Sequence, residues 1–178
     1  MNHTDHVNLI HAAVPTSGGI WADFGAGSGA FTLALAGCLG TSCTIYAVDQ
    51  DSSALRQNKQ ALTSHFPHIS AHYRTADFTR PLDIPPLDGL IMANALHFHR
   101  DKQPILRQLI SYLKPGGRFV VVEYNVDKGN TWVPYPFTFA SWETIAAAAG
   151  LTQTRQLAAR PTRFLNEFYC ALSLKPAD

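Results

Sequence analysis

Apolar residues in this 178-residue chain fall into two kinds of segment that alternate from end to end. Ile20–Phe24, Cys43–Val48 (CTIYAV), Leu87–Ala93 and Arg118–Tyr124 (RFVVVEY) are short, nearly continuous apolar runs, and predict strands covered on both faces. Ile69–Thr75 alternates more weakly and predicts a further strand. Between them, apolar positions recur every three or four residues. Thr4–Ala13 predicts a helix with Val7, Leu9, Ile10 and Ala13 on its apolar side, ended by Pro15 and Gly18–Gly19. Ser28–Leu39 predicts a second, with Phe31, Leu35 and Leu39 at i, i+4 and i+8. Asp51–Ser64 predicts a third, with Asp51 and Ser52 as caps. Asp101–Leu113 predicts an amphipathic fourth, closed by Lys114-Pro115-Gly116-Gly117, and Ser141–Ala149 a fifth, ended by Gly150. No strong helix separates Thr152–Ala159 from Phe168–Leu174, so these predict two closing strands paired antiparallel at one edge. Strands alternating with helices imply βαβ units and a parallel sheet with helices on both faces. The longest irregular stretch, Tyr124 to Phe139, is rich in proline and aromatic residues and is a natural roof over a site.

Composition narrows the function. The formal net charge is +1, which gives no basic excess to draw in a phosphate backbone; nucleic acid is not an expected partner. No run approaches the ~18 apolar residues of a membrane span. The three cysteines, Cys38, Cys43 and Cys170, show no CxxC spacing, which disfavours a disulfide framework and fits a reducing compartment. The N-terminus lacks the charged start and apolar run of a signal peptide. A cytoplasmic protein is expected, its oligomeric state open, a homodimer included.

The richest chemical signal is the turn after the first predicted strand. Gly25, Gly27 and Gly29 punctuate IWADFGAGSGAF, where the chain passes from strand to helix. Glycines there permit a tight turn and close approach of a ligand, and the helix N-terminus beyond offers free N–H groups to an anion. Asp49 ends the second predicted strand. A carboxylate in that place can accept hydrogen bonds from the vicinal hydroxyls of a ribose. Asp51 reads as a helix cap. These features suit either a nicotinamide dinucleotide or S-adenosylmethionine, since both carry adenosine.

Further stretches separate the two. Asp23–Gly29 (DFGAGSG), Val48–Asp49, Ala76–Phe78 (ADF), Asp88–His97 (DGLIMANALH) and Leu113–Glu123 (LKPGGRFVVVE) occur in an order that resembles the class I S-adenosylmethionine-dependent methyltransferases. The resemblance spans about residues 20 to 124. It implies a Rossmann-like, doubly wound α/β fold: a single domain on a seven-stranded, mostly parallel sheet with one antiparallel strand near an edge. Residues 1–19 would form an N-terminal helix or lid, 20–124 the cofactor-binding core, and 125–178 the acceptor-side segment and closing strands. The same resemblance implies S-adenosylmethionine as cofactor. Asp23, Gly25, Ala26, Gly27 and Gly29 would surround its methionine part, Asp49 its ribose and Gln50 the edge of its adenine. Asp77 would accept from the adenine amino group, the Phe78 backbone would meet a ring nitrogen, and Asn94 would lie near the transferred methyl.

Methyl transfer from a sulfonium needs a base only if the acceptor must lose a proton. Candidates are His97 and His99, just after the fourth predicted strand, and Tyr124 at the end of the fifth. Packed or solvent-facing roles compete for both histidines. The pair also suggests a metal, but no third ligand stands at a convincing spacing, so none is expected. With no large inserted cap, the acceptor is expected to be a small molecule or an exposed group on a macromolecule, and the sequence does not identify it. The competing readings are a nicotinamide-dependent oxidoreductase and a non-catalytic S-adenosylmethionine-binding protein.

Overall fold

Period-two alternation within the strands sets the architecture. In the computed structural model, which describes residues 1–15, 18–162 and 164–177, neighbouring residues of each central strand enter opposite cores. The strands are β1 (Gly19–Phe24), β2 (Cys43–Asp49), β3 (Ser70–Thr75), β4 (Leu87–Ala93), β5 (Leu113–Tyr124), β6 (Thr152–Pro161) and β7 (Glu167–Leu174). Ala22, Leu90, Phe119, Val121 and Tyr169 face one side, with the helices α4 (Gln103–Ser111) and α5 (Phe139–Ala148). Trp21, Ile91, Val120, Val122 and Cys170 face the other, with α1 (His3–Ile10), α2 (Ala30–Leu39) and Leu62 of α3 (Ser52–His65). Double-sided burial explains why these strands read as unbroken apolar runs. Each fully buried Leu, Ile or Phe side chain contributes roughly 1.5–3 kcal/mol, so the two cores hold the layers together.

The sheet order is β3-β2-β1-β4-β5-β7-β6. β1 to β5 pair in parallel, and β7 runs antiparallel to both β5 and β6. The chain moves outward from β1 to β3, then returns to the other side of β1 at β4. That reversal leaves a crevice at the carboxyl ends of β1 and β4, where ligands of open α/β sheets bind.

Several expected boundaries shift. The first helix stops at Ile10, not Ala13, and packs on α2 and β6. An Asn2–Asp5 capping box starts it and an Asp5–Arg160 ion pair at 2.8 Å fastens it to β6. None of its residues is among those lining the cleft at the carboxyl ends of the strands. The amphipathic helix α4 covers Gln103–Ser111, shorter than Asp101–Leu113. The Lys114–Gly117 turn belongs to β5, because neighbouring chain satisfies its backbone: Leu113 pairs with Leu87, Gly116 N–H donates to Lys175 O, and Lys175 N–H donates to Gly117 O. α5 begins at Phe139, two positions before Ser141, because Thr138 caps it.

Candidate functional site

A cleft of about 220 Å³ opens at the switch point, lined by residues that follow four different strands. Gly25 comes from the end of β1, Asp49 and Gln50 from β2, Ala76 to Phe78 from β3, and Asn94, Ala95, Phe98 and His99 from β4.

The glycine turn is shaped by φ and by close approach. Gly25 has φ 77° and its N–H donates to Val48 O at 2.9 Å, tying the turn to β2. A Cβ there would stand 2.5 Å from the Ala95 Cβ, so only glycine fits. Gly27 (φ 50°) donates its N–H to Asp49 Oδ2 at 2.8 Å, and Gly29 (φ 100°) caps α2. Ala26, Gly27 and Gly29 belong to the turn, but the cleft wall itself is formed at Gly25.

Asp49 fixes two loops together. Its Oδ2 takes the Gly27 N–H and its Oδ1 takes the Asp51 N–H, also at 2.8 Å. Asp51 caps α3 by accepting from Ser53 N and Ala54 N, as its position predicted. Asp77 accepts from both the N–H and the hydroxyl of Thr79 through Oδ1. Those bonds hold its carboxyl below the usual range, the Thr79 hydroxyl contributing most. The Phe78 ring meets His99 edge-on at 5.4 Å. Gln50 is exposed at the rim. Asn94 sits at φ 53°, and its buried Oδ1 has no hydrogen-bond partner.

Asp23 does not line the cleft. It lies beneath the turn, buried, accepting from the Thr32 hydroxyl at 2.6 Å, which in turn accepts from Asn58 Nδ2. Burial pushes its pKa up from 3.8 to about 7; the Thr32 bond opposes this, and the neighbouring Asp49 charge adds to it. The folded protein therefore holds a proton that the unfolded chain gives up above about pH 4. The stability Asp23 contributes is complete below its unfolded value and is lost as pH rises through about 7. Asp23→Asn should remove this loss. In urea titrations the variant should gain on the parent between pH 5 and pH 8 by on the order of 2–4 kcal/mol. Parallel stability curves over that range would contradict the assignment.

The three candidate bases separate. His97 is buried, with Nδ1 2.7 Å from Glu123 Oε2, and does not reach the cleft wall. His99 lines the cleft, and burial holds its pKa below the usual histidine value. The Tyr124 ring lies 4.2 Å from that of Phe168; burial, and then the Glu123 charge, push its hydroxyl up, which keeps it protonated.

Two buried ionic side chains went unnoticed in the sequence. Glu123, fully buried at the end of β5, accepts from Leu96 N, His97 N and His97 Nδ1. Lys102 donates through Nζ to His99 O at 2.9 Å and Tyr135 O at 3.0 Å, and lies over the Phe137 ring. Together they pin both ends of the 3-10 turn Leu96–Phe98, which follows Asn94 and Ala95. The only sequence signal for Glu123 is one acid closing an apolar run; for Lys102 there is none.

Comparisons with known proteins agree with this fold. A family model described as a methyltransferase domain matches residues 16–160. No functionally curated protein matches the chain. Among solved structures, a SAM dependent methyltransferase from Aquifex aeolicus is 15% identical, with TM-score 0.73, covering 96% of this chain and 89% of that one. An arsenic(III) S-adenosylmethionine methyltransferase from Chlamydomonas reinhardtii is 18% identical, with TM-score 0.73, covering 96% and 73%. A possible exported protein from Bordetella parapertussis is 18% identical, with TM-score 0.76, covering 98% and 67%. At such identities these three share the fold. Among the described residues no helix is long and apolar enough to cross a membrane. The family match covers most of the chain, and on it the protein belongs to the methyltransferase-domain family.

Proposed function

We propose that this protein transfers a methyl group from S-adenosylmethionine to a small-molecule acceptor. The observation that carries the reading is the convergence of Gly25, Asp49, Asp77, Phe78 and Asn94, from four separate loops, on one cleft at the switch point.

The residues fit that donor on two independent counts. The buried, unpartnered Asn94 Oδ1 is an acceptor that is costly unless a donor arrives, and an ammonium carries three. The missing Cβ at Gly25 lets its backbone close against Ala95, so that both residues line one cleft wall. Asp49 would hold the ribose, since each of its oxygens already takes one N–H and keeps a lone pair for a hydroxyl. Asp77 and Phe78 would border the adenine, with Gln50 at its edge. Asp23 would act from beneath the Gly25–Gly29 turn, near the amino-acid end. When bound, S-adenosylmethionine supplies a sulfonium-activated methyl group that is displaced in line, the S–C electrons returning to sulfur as the new bond forms. The chain's own contribution is orientation and exclusion of water. Where the acceptor must lose a proton, His99 is the best placed of the three candidates, because it alone lines the cleft, and burial favours its unprotonated form. His97 is occupied by Glu123, and Tyr124 retains its proton.

Isothermal titration with S-adenosylhomocysteine tests this. Saturable binding is expected, weakened by Asp49→Ala about tenfold or more, equivalent to ~1.4 kcal/mol. A folded sample that binds neither S-adenosylmethionine nor its demethylated product would overturn the proposal.

A further inference from the structure

Apart from Met1, the large hydrophobic side chains left exposed among the described residues are all aromatic: Phe98, Trp132, Tyr135 and Phe164. All four lie at the same end of the sheet. Phe98 follows β4, Trp132 and Tyr135 follow β5, and Phe164 is in the turn from β6 to β7, beside the carboxyl end of β5, where Tyr124 pairs with Phe168. That is the end at which the cleft opens. Exposed apolar residues scattered singly need no explanation, but four exposed aromatics at the end of the sheet where the cleft opens, one of them lining it, do.

Ring contacts link Phe164 to the cleft through Tyr124 and the buried His97. Phe164 meets Tyr124 edge-on at 5.8 Å, Tyr124 lies 6.4 Å from the His97 ring, and His97 lies 4.3 Å from Phe98, which lines the cleft. The roof segment joins the same surface through Tyr135 N–H, which donates to His97 O. This segment is built to hold its rings outward. Val133 and Phe137 are buried beneath it, Asn130 Oδ1 accepts from Trp132 N and Val133 N, and Lys102 grips Tyr135 O.

Building on the function proposed above, we infer that this aromatic rim is the acceptor's landing surface and that the acceptor carries a flat aromatic or conjugated ring. Rings prefer edge-to-face and offset partners with centroids about 4.5–7 Å apart, and Phe164 already meets Tyr124 in that way at 5.8 Å. Leucine or isoleucine would serve an aliphatic acceptor, yet none is among the large exposed hydrophobic residues. A rigid aromatic wall also loses little side-chain freedom when it captures a ligand.

The probe is 2-naphthol, with the saturated decahydro-2-naphthol as its non-aromatic match, each titrated calorimetrically into protein saturated with S-adenosylhomocysteine. 2-Naphthol should bind about tenfold or more tightly than its saturated match. It should also protect Trp132 from iodide quenching; Trp21 and Trp142 are buried, so Trp132 dominates that signal. Phe164→Ala and Trp132→Ala should each weaken 2-naphthol at least fivefold, roughly, while S-adenosylhomocysteine affinity stays within about twofold. Equal binding of the two probes, absent binding, or binding unchanged in both variants overturns the inference. So does dimerisation in sedimentation, or capture on phosphatidylcholine–phosphatidylglycerol vesicles, that Trp132→Ala abolishes, because the rim would then serve a second copy or a lipid surface. Absence of S-adenosylhomocysteine binding in the unmodified protein would sink the proposed function; on cofactor-free protein, a preference for 2-naphthol over its saturated match would still support the aromatic rim, and equal binding would overturn it.

Discussion

Glu123→Ala is expected to lower the melting temperature by about 10 °C, the largest loss predicted for any single substitution considered. The carboxylate is fully buried and accepts three N–H groups: Leu96 N at 3.1 Å, His97 N at 3.2 Å and His97 Nδ1 at 2.7 Å. Removing it strands all three donors where water does not reach, and each stranded donor costs roughly 1–3 kcal/mol. Some relaxation of the turn offsets part of this, so a net loss of about 3–5 kcal/mol is expected. Glu123→Gln keeps one acceptor oxygen for the backbone donors but sets an amide N–H₂ against His97. Turning the histidine proton to its other nitrogen would repair that contact, and about half of the loss should be recovered. Differential scanning calorimetry distinguishes these cases. A melting temperature for Glu123→Ala within about 2 °C of the parent would show that the three donors find other partners.

This pair also shows where the sequence stops being informative. Strands β1, β2 and β4 were legible because burial on both faces makes each an apolar run, and α4 because Ile105, Leu106, Leu109 and Ile110 recur at helical spacing. The glycine turn and the place of Asp49 at the cleft were legible for a similar reason: both lie where a strand gives way to a helix, and the strand-to-helix pattern announces it. The role of Glu123 depends on His97, 26 residues away, and that of Lys102 on Tyr135, 33 residues away. No local period encodes such partners; only the sheet order, which places β4 beside β5, brings the first pair together. The Lys114–Gly117 turn misled for the converse reason. Proline and two glycines are strong local breakers, yet Lys175 supplies hydrogen bonds that keep this stretch in β5. Asp77 does two things at once: it closes a turn through Oδ1 with Thr79 and also lines the cleft.

Gly25→Ala should weaken S-adenosylhomocysteine binding on the order of 100-fold, equivalent to ~2.7 kcal/mol. Two costs meet at this position. At φ 77° any side chain is strained, by roughly 1–2 kcal/mol. The new methyl would also stand 2.5 Å from the Ala95 Cβ, so the turn and the start of the 3-10 turn must part, widening the cleft wall that both residues form. Gly27→Ala separates the contributions. It too has positive φ, 50°, but nothing lies within 4 Å of its added Cβ, so it carries the strain without the collision. Its effect on binding should be only a few-fold, about 1 kcal/mol. Ala95→Gly in the Gly25→Ala background removes the collision and leaves the strain, and should restore affinity roughly tenfold. Urea titration of each variant confirms that a folded protein is being compared. If Gly25→Ala and Gly27→Ala weaken binding equally, or if Ala95→Gly restores nothing, the close approach of these two loops does not shape the cofactor cleft.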